Sequence, residues 1–302
     1  ETLGGITEDM RPSAMRAWWL KFSALLLCTF AMDLQEEVVS VRPLIIVAKR
    51  FASLEECQQI LDLIARCHSR DWPDCREVRS KLHTGKGNRS SSSGKKPWRN
   101  STSFQLTLDG EIDGAVDDLV RRSHLFARHP ITYGEGVQVA SYHAGDYYEF
   151  HHDSLMRRAT VLLYLTDVAD GDGGETIFPL VRAAGVPDDA PGPLPPAVVG
   201  RKRESLDFKV ERMEDMEAYC ESDFYLKIRP EAGKAVLFFS YRPDYSLDQY
   251  AIHGACPMKR GHKAIFQRWM RFEENSLVSK ASDAIRKARS LWGEGRLFHP
   301  AE

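Results

Sequence analysis

The chain is poor in cysteine and contains no Cys-x-x-Cys, so its six cysteines build neither a zinc ribbon nor a dithiol redox centre. An excess of charge of one sign is also missing. The formal net charge is -2, which excludes the basic surplus of a general nucleic-acid surface. No internal repeat is evident, which excludes a solenoid or propeller. Long apolar runs are scarce as well. Residues 18–31 come nearest, and Lys21 interrupts them short of the length of a membrane-crossing helix.

With Arg11 and Arg16 ahead of it and small residues at its end, that run reads as a secretory signal or signal anchor. Residues 1–35 are therefore set apart as an N-terminal segment, and any membrane contact is confined to it. The compartment expected is the endoplasmic reticulum and secretory pathway, with the cytoplasm as the alternative.

What the chain does have is the segment Tyr147-Tyr148-Glu149-Phe150-His151-His152-Asp153, with His253 and Lys263 far downstream. Ferrous oxygenases hold iron with two imidazoles and one carboxylate, leaving positions open for a chelating cosubstrate and dioxygen. His151 and Asp153 suit that task because alternate residues of an extended segment point the same way, whereas His152 points to the opposite side. His253 supplies the third ligand. Gly254, Pro257 and Gly261 are turn material, so a hairpin is expected to return Lys263 beside the metal. A buried ammonium requires an anion, and 2-oxoglutarate offers the carboxylate remote from its chelating keto acid.

Five runs, 137–142, 159–166, 225–228, 235–240 and 264–271, are β-branched or aromatic and bounded by Gly, Pro and Asp. They predict a mainly β protein with supporting helices and a double-stranded β-helix (jelly-roll) core, whose mouth can hold a small ligand. Ser53 and Glu56 make a capping box, so a helix starts there with Cys57, Ile60, Leu61 and Ile64 on one stripe. Ile112, Ala115, Val116, Leu119 and Ser123 give a second, weaker stripe.

These residues sit in longer blocks that resemble the prolyl 4-hydroxylases of plant and algal type. Gln138-Val139-Ala140-Ser141-Tyr142, followed by Gly145 and Tyr148, resembles that family's approach to its first histidine, with Asp146 where glutamine is usual. Residues 158–168, Gly173-Gly174-Glu175-Thr176-Ile177-Phe178-Pro179 and most of 234–257 resemble the blocks that follow, and Trp269 closes the match. The resemblance covers about residues 36 to 273. It implies Fe(II) on His151, Asp153 and His253, 2-oxoglutarate held by Tyr142, Thr176 and Lys263, and a peptide groove that includes Arg99 and Glu135. Asn100 stands where threonine is usual in that groove.

The activity so implied is hydroxylation of peptidyl proline at C4, consuming O2 and 2-oxoglutarate and releasing succinate and CO2. L-ascorbate would keep the iron reduced, and the partner would be a proline-rich peptide or protein. A related oxygenase acting on a lysyl residue or a small metabolite, and a catalytically silent jelly-roll binding module, are the alternatives. Cys220 and Cys256 both fall on family cysteine positions, so the resemblance implies a disulfide between them. Cys57, Cys67 and Cys75 stay open between a second pair and buried thiols.

Residues 36–273 then form the dioxygenase domain. Within it an insert, 183–212, rich first in Pro and Gly and then in charge, reads as a surface excursion. The Gly/Ser-rich stretch 84–103 reads as a loop that, in this family, folds over the peptide. Residues 274–302 form a C-terminal helical tail. Asn100-Ser101-Thr102 matches a glycosylation sequon but lies beside the groove, where a glycan would obstruct it, so it is not counted. His124, His129 and His143 are expected to be structural, and His262 to lie on the outer face.

Overall fold

The computed structural model describes residues 35–69, 75–77, 99–106, 114–153, 157–187, 189–192, 200–202, 205–209, 213–243, 245 and 247–272. The N-terminal segment, the C-terminal tail, most of the Gly/Ser-rich stretch and Ile112 lie outside the described residues.

In chain order the elements are β1 (Gln35–Val41), β2 (Leu44–Lys49), α1 (Leu54–Ser69), β3 (Cys75–Glu77), β4 (Thr102–Leu106) and α2 (Gly114–Phe126). Then come β5 (Val137–His143), β6 (Tyr148–His151), β7 (Arg157–Tyr164), β8 (Thr176–Arg182), β9 (Gly200–Lys202) and β10 (Ser205–Lys209). The chain continues with α3 (Met213–Glu221), β11 (Tyr225–Ile228), β12 (Ala235–Phe239), β13 (His253–Ala255) and β14 (His262–Arg271). The five predicted runs correspond to β5, β7, β11, β12 and β14, displaced by a residue or two at their ends.

The larger sheet has the order β1-β2-β12-β7-β14-β5-β4-β3, and a four-stranded sheet the order β11-β8-β13-β6. Neighbours are antiparallel throughout. From β5 onward the chain passes from one sheet to the other at each step except β8 to β11, the winding of a double-stranded β-helix. Those two strands are separated by the insert, which carries the small β9–β10 hairpin.

The inner strands β5, β7, β12 and β14 of the larger sheet are buried on both faces. On β7, Val161 and Leu163 join the core under α1 and α2, while Leu162 and Tyr164 face the core between the sheets. This two-sided burial is why the strand reads as an unbroken apolar run. A third core, with Phe150, Ile177, Met216 and Tyr225, lies between the smaller sheet and α3.

The capping box before α1 forms as predicted: Glu56 N donates to Ser53 Oγ at 3.1 Å, and Ser53 N donates to Glu56 Oε2 at 2.7 Å. The buried stripe is Cys57, Ile60, Leu63, Ile64 and Cys67. Cys57, Ile60 and Ile64 are buried as predicted, Leu61 is partly buried against the same core, and Leu63 and Cys67 extend the stripe. On α2, Val116, Leu119 and Ser123 are buried, and Arg122 reaches across to Glu56 at 2.7 Å, tying the two helices together.

One local expectation is overturned. β13 and β14 do not form a hairpin: β13 pairs with β6 and β8, and β14 with β5 and β7. The intervening turn is an arch between the sheets. Gly261 serves it with a φ of 77°, a conformation suited to glycine. Gly254 has another task. A Cβ there would meet Phe150 Cδ1 at 2.8 Å and Tyr148 O at 3.0 Å, so glycine is what lets β13 lie this close to β6.

Candidate active site

His151 ends β6 and His253 begins β13, and the two are direct cross-strand partners. Asp153 lies two residues beyond β6. Each of the three offers a ligand atom, and these atoms all lie within 4.8 Å of one another, every residue being buried. His151 Nδ1 lies 2.7 Å from the Glu149 carbonyl oxygen and His253 Nδ1 3.0 Å from that of Ala251. A carbonyl only accepts, so Nδ1 carries the proton and Nε2 is left with its lone pair, the arrangement seen in metal-ligating histidines.

Burial, with the neighbouring His253, pushes His151 down to about 3. Burial lowers His253 as well. For Asp153 burial works against ionisation, but His253, Arg157, His151 and the Thr160 hydroxyl outweigh it and hold the carboxyl below its ordinary value. Two neutral imidazoles and a carboxylate are the donor set of a ferrous site. The three residues therefore fit that ion.

Strand β7 supports the carboxylate. The Thr160 hydroxyl donates to Asp153 Oδ2, and Arg157 Nη1 stands 3.7 Å from Asp153 Oδ1. Arg157 also makes a two-pronged pair with Glu135, at 3.0 and 2.8 Å, and lies 3.6 Å from the centre of the Trp269 ring. Glu135 is thus linked to the triad through Arg157. Arg99 is buried, with its guanidinium 5.2 Å from the centre of the Tyr148 ring. Tyr148 in turn stacks on His151, with ring centroids 3.9 Å apart.

Lys263 is fully buried. Its ammonium donates to the Gly174 carbonyl at 2.7 Å and lies 4.2 Å from the centre of the Tyr142 ring. Neither partner carries a full negative charge, so burial pushes the lysine down to about 7, with Glu175 opposing. The Tyr164 hydroxyl lies 2.6 Å from Thr176 Oγ1 and 3.1 Å from the Ile228 carbonyl. Thr176 pairs with Ala255, two residues after His253, which brings it to the metal-ligating strand. Burial raises Tyr142 to about 12, so both tyrosines are neutral donors at physiological pH.

The predicted ligand, cosubstrate and groove residues are therefore buried or part-buried. Tyr142, Thr176 and Lys263 occupy one interior, and His151, Asp153 and His253 cluster within it. Sequence reasoning missed Arg157, Thr160 and Tyr164. Tyr164 carries a usable signal, since a tyrosine closing an aliphatic strand needs a partner for its hydroxyl.

Asn100 explains its own departure from the family: its amide donates to the Gly145 carbonyl and accepts from Tyr147 N at 2.9 Å, clamping the turn ahead of β6. The Cys220–Cys256 disulfide is present, Cys67 is also disulfide-bonded, and Cys57 is a buried free thiol. His124 accepts from Arg268 Nε at 3.1 Å. His143 and His262 stack on each other at 4.9 Å.

Residues 137–271 match the family model described as the 2OG-Fe(II) oxygenase superfamily. Probable prolyl 4-hydroxylase 3 of Arabidopsis thaliana is 30% identical over 255 residues, 80% of this chain and 74% of that protein. Prolyl 4-hydroxylase 1 of the same plant is 31% identical over 254 residues, 81% and 74% of the respective chains. A solved viral collagen prolyl hydroxylase from Paramecium Bursaria Chlorella virus-1 aligns with 75% of this chain and 95% of its own, at 20% identity and a TM-score of 0.46.

Proposed function

The chain belongs to the prolyl 4-hydroxylase family of 2OG-Fe(II) oxygenases, and from that premise we propose that it hydroxylates peptidyl proline at C4. One proline C–H, one O2 and one 2-oxoglutarate give hydroxyproline, succinate and CO2. The observation that carries this reading is a buried lysine whose ammonium, among the described residues, is hydrogen-bonded to a neutral carbonyl rather than to a carboxylate, in the same interior as a buried His-Asp-His cluster.

His151, Asp153 and His253 would hold Fe(II), and the iron supplies activation of O2 for decarboxylation of the cosubstrate and oxidation of the proline. The rest is the protein's work. Lys263 gives its charge to the remote carboxylate of 2-oxoglutarate, where the low dielectric of the interior strengthens the attraction. Tyr142 and the Thr176 hydroxyl, which Tyr164 orients, complete that grip. The two imidazoles and the carboxylate are held by backbone carbonyls, Thr160 and Arg157, so ligand geometry is set before any ligand arrives. Arg99 and Glu135 would meet a proline-rich peptide, with L-ascorbate serving as reductant.

The compartment proposed is the secretory lumen, which the Cys220–Cys256 disulfide supports, since such bonds persist in oxidising surroundings. Among the described residues no helix is long and apolar enough to cross a membrane.

The test is incubation with Fe(II), 2-oxoglutarate, ascorbate and proline-rich peptides, following succinate and a one-oxygen gain on the peptide by mass spectrometry. Succinate together with 4-hydroxyproline is expected. Succinate without an oxidised peptide across the panel would move the reading to another substrate, and neither product from iron-loaded protein would sink it.

A further inference from the structure

The middle residue of the His-x-Asp motif is itself a buried histidine, and nothing above uses it. We propose that His152 is a positioning residue that locks Asp153 to the turn presenting His253, so that the two halves of the metal site keep a fixed relation. The proposal rests on the iron reading above.

The ladder between β6 and β13 ties His151 to His253 but ends there, leaving Asp153 beyond the last inter-strand pair. His152 extends the tie. Its Nε2 lies 3.2 Å from the carbonyl oxygen of Asp248, remote in sequence, and its Nδ1 lies 2.8 Å from the carbonyl oxygen of Asp153. Asp248 is no loose acceptor. It caps the one-turn 3-10 helix Gln249–Ala251, its carboxylate accepting from Tyr250 N at 3.1 Å and its carbonyl from Ala251 N at 3.0 Å.

The Ala251 carbonyl then accepts the Nδ1–H of His253 at 3.0 Å. One short turn therefore orients the His253 ring at its far end and meets His152 at its near end. A carbonyl oxygen has two lone pairs, so Asp248 can take both Ala251 N and His152 Nε2. A neutral imidazole has one N–H; carried on Nε2 it donates to the Asp248 carbonyl, and because His152 and Asp153 share a peptide bond, the path from Asp153 through His152, Asp248 and Ala251 to His253 is continuous and runs outside the sheet ladder. Hydrogen-bonded supports of this kind are worth about 10- to 100-fold in metal affinity.

The experiment is an anaerobic titration of the metal-free full chain with Co(II), a spectroscopic substitute for Fe(II), read by visible absorbance. It compares the wild type with His151→Ala, His152→Phe, His152→Gln and His152→Asn. Glutamine carries an amide N–H at about the reach of Nε2, and asparagine at about that of Nδ1, so the two separate the Asp248 contact from the Asp153 one. We expect the Kd for Co(II) to rise about 10-fold or more in His152→Phe and His152→Asn, and His152→Gln to stay close to wild type. Melting curves identify any variant that fails to fold, and the Gln/Asn pair decides the matter if His152→Phe does. Wild-type affinity in His152→Phe, or equal weakening in Gln and Asn, would overturn the proposal. A wild type that binds Co(II) no better than His151→Ala would instead remove the iron reading on which it stands.

Discussion

A lysine ammonium enclosed by a carbonyl and a phenol ring is unfavourable until an anion joins it, and Lys263 makes that cost measurable. Its value falls from 10.5 to about 7 in the folded chain. The unfolded lysine therefore binds more protons between those limits, and the stability of the ligand-free protein should rise as pH goes from about 7 towards 10.5. Below about 7 the destabilisation is present in full. A dicarboxylate restores the charge, so the thermal shift produced by 2-oxoglutarate should be larger at pH 6.5 than at pH 9; an equal shift at both would contradict the assignment. Lys263→Met should raise the melting temperature of the ligand-free protein by about 3 °C or more while abolishing saturation by 2-oxoglutarate in the succinate assay. Thr160→Val removes the hydroxyl that holds the Asp153 carboxylate, and should weaken Fe(II) binding about 10-fold with the melting temperature nearly unchanged, as metal titration alongside calorimetry will reveal.

At the scale of the element, α1 gives the sharpest stability contrast. Leu63 is 2% exposed beneath the larger sheet, so Leu63→Ala should cost about 3 kcal/mol in urea unfolding. Leu61→Ala, at the partly buried flank, should cost under about half of that. The sequence pattern did not separate the two, because Leu61 and Leu63 each stand at a permitted helical spacing from Cys57 or Ile60, and only the position of the sheet chooses between them. The capping box was legible because Ser53 and Glu56 bond each other, with no tertiary partner required. Strands such as β7 and β12 were legible because burial on both faces leaves an unbroken apolar run. The arch from β13 to β14 was not, since Pro257 and Gly261 satisfy the local chemistry of a hairpin and of a crossover alike. Arg157 and Thr160 escaped for a related reason: they belong to a strand run, and what makes them matter is Asp153, which approaches only when the sheets close. α3 is short and charged, and becomes a helix against the smaller sheet, where Met216 and Tyr219 are buried.

For the molecule as a whole, the disulfide between Cys220 and Cys256 joins α3 to the segment just past His253, closing a loop of sequence separation 36. Replacing both cysteines by alanine should cost about 4 kcal/mol by the loop-closure argument. Chemical denaturation with and without reductant will check it, the reductant being without effect on the double variant unless the Cys67 disulfide also contributes. The alternation of consecutive strands between the two sheets has a further consequence, for the order in which a chain leaving the ribosome completes itself. β6 and β7 present His151, Asp153 and their supports early, but His253 and Lys263 arrive on the last two strands of the domain, and contacts so remote in sequence form late in folding. An unfinished or truncated chain accordingly lacks a closed ferrous centre, and with it the means to turn oxygen against itself.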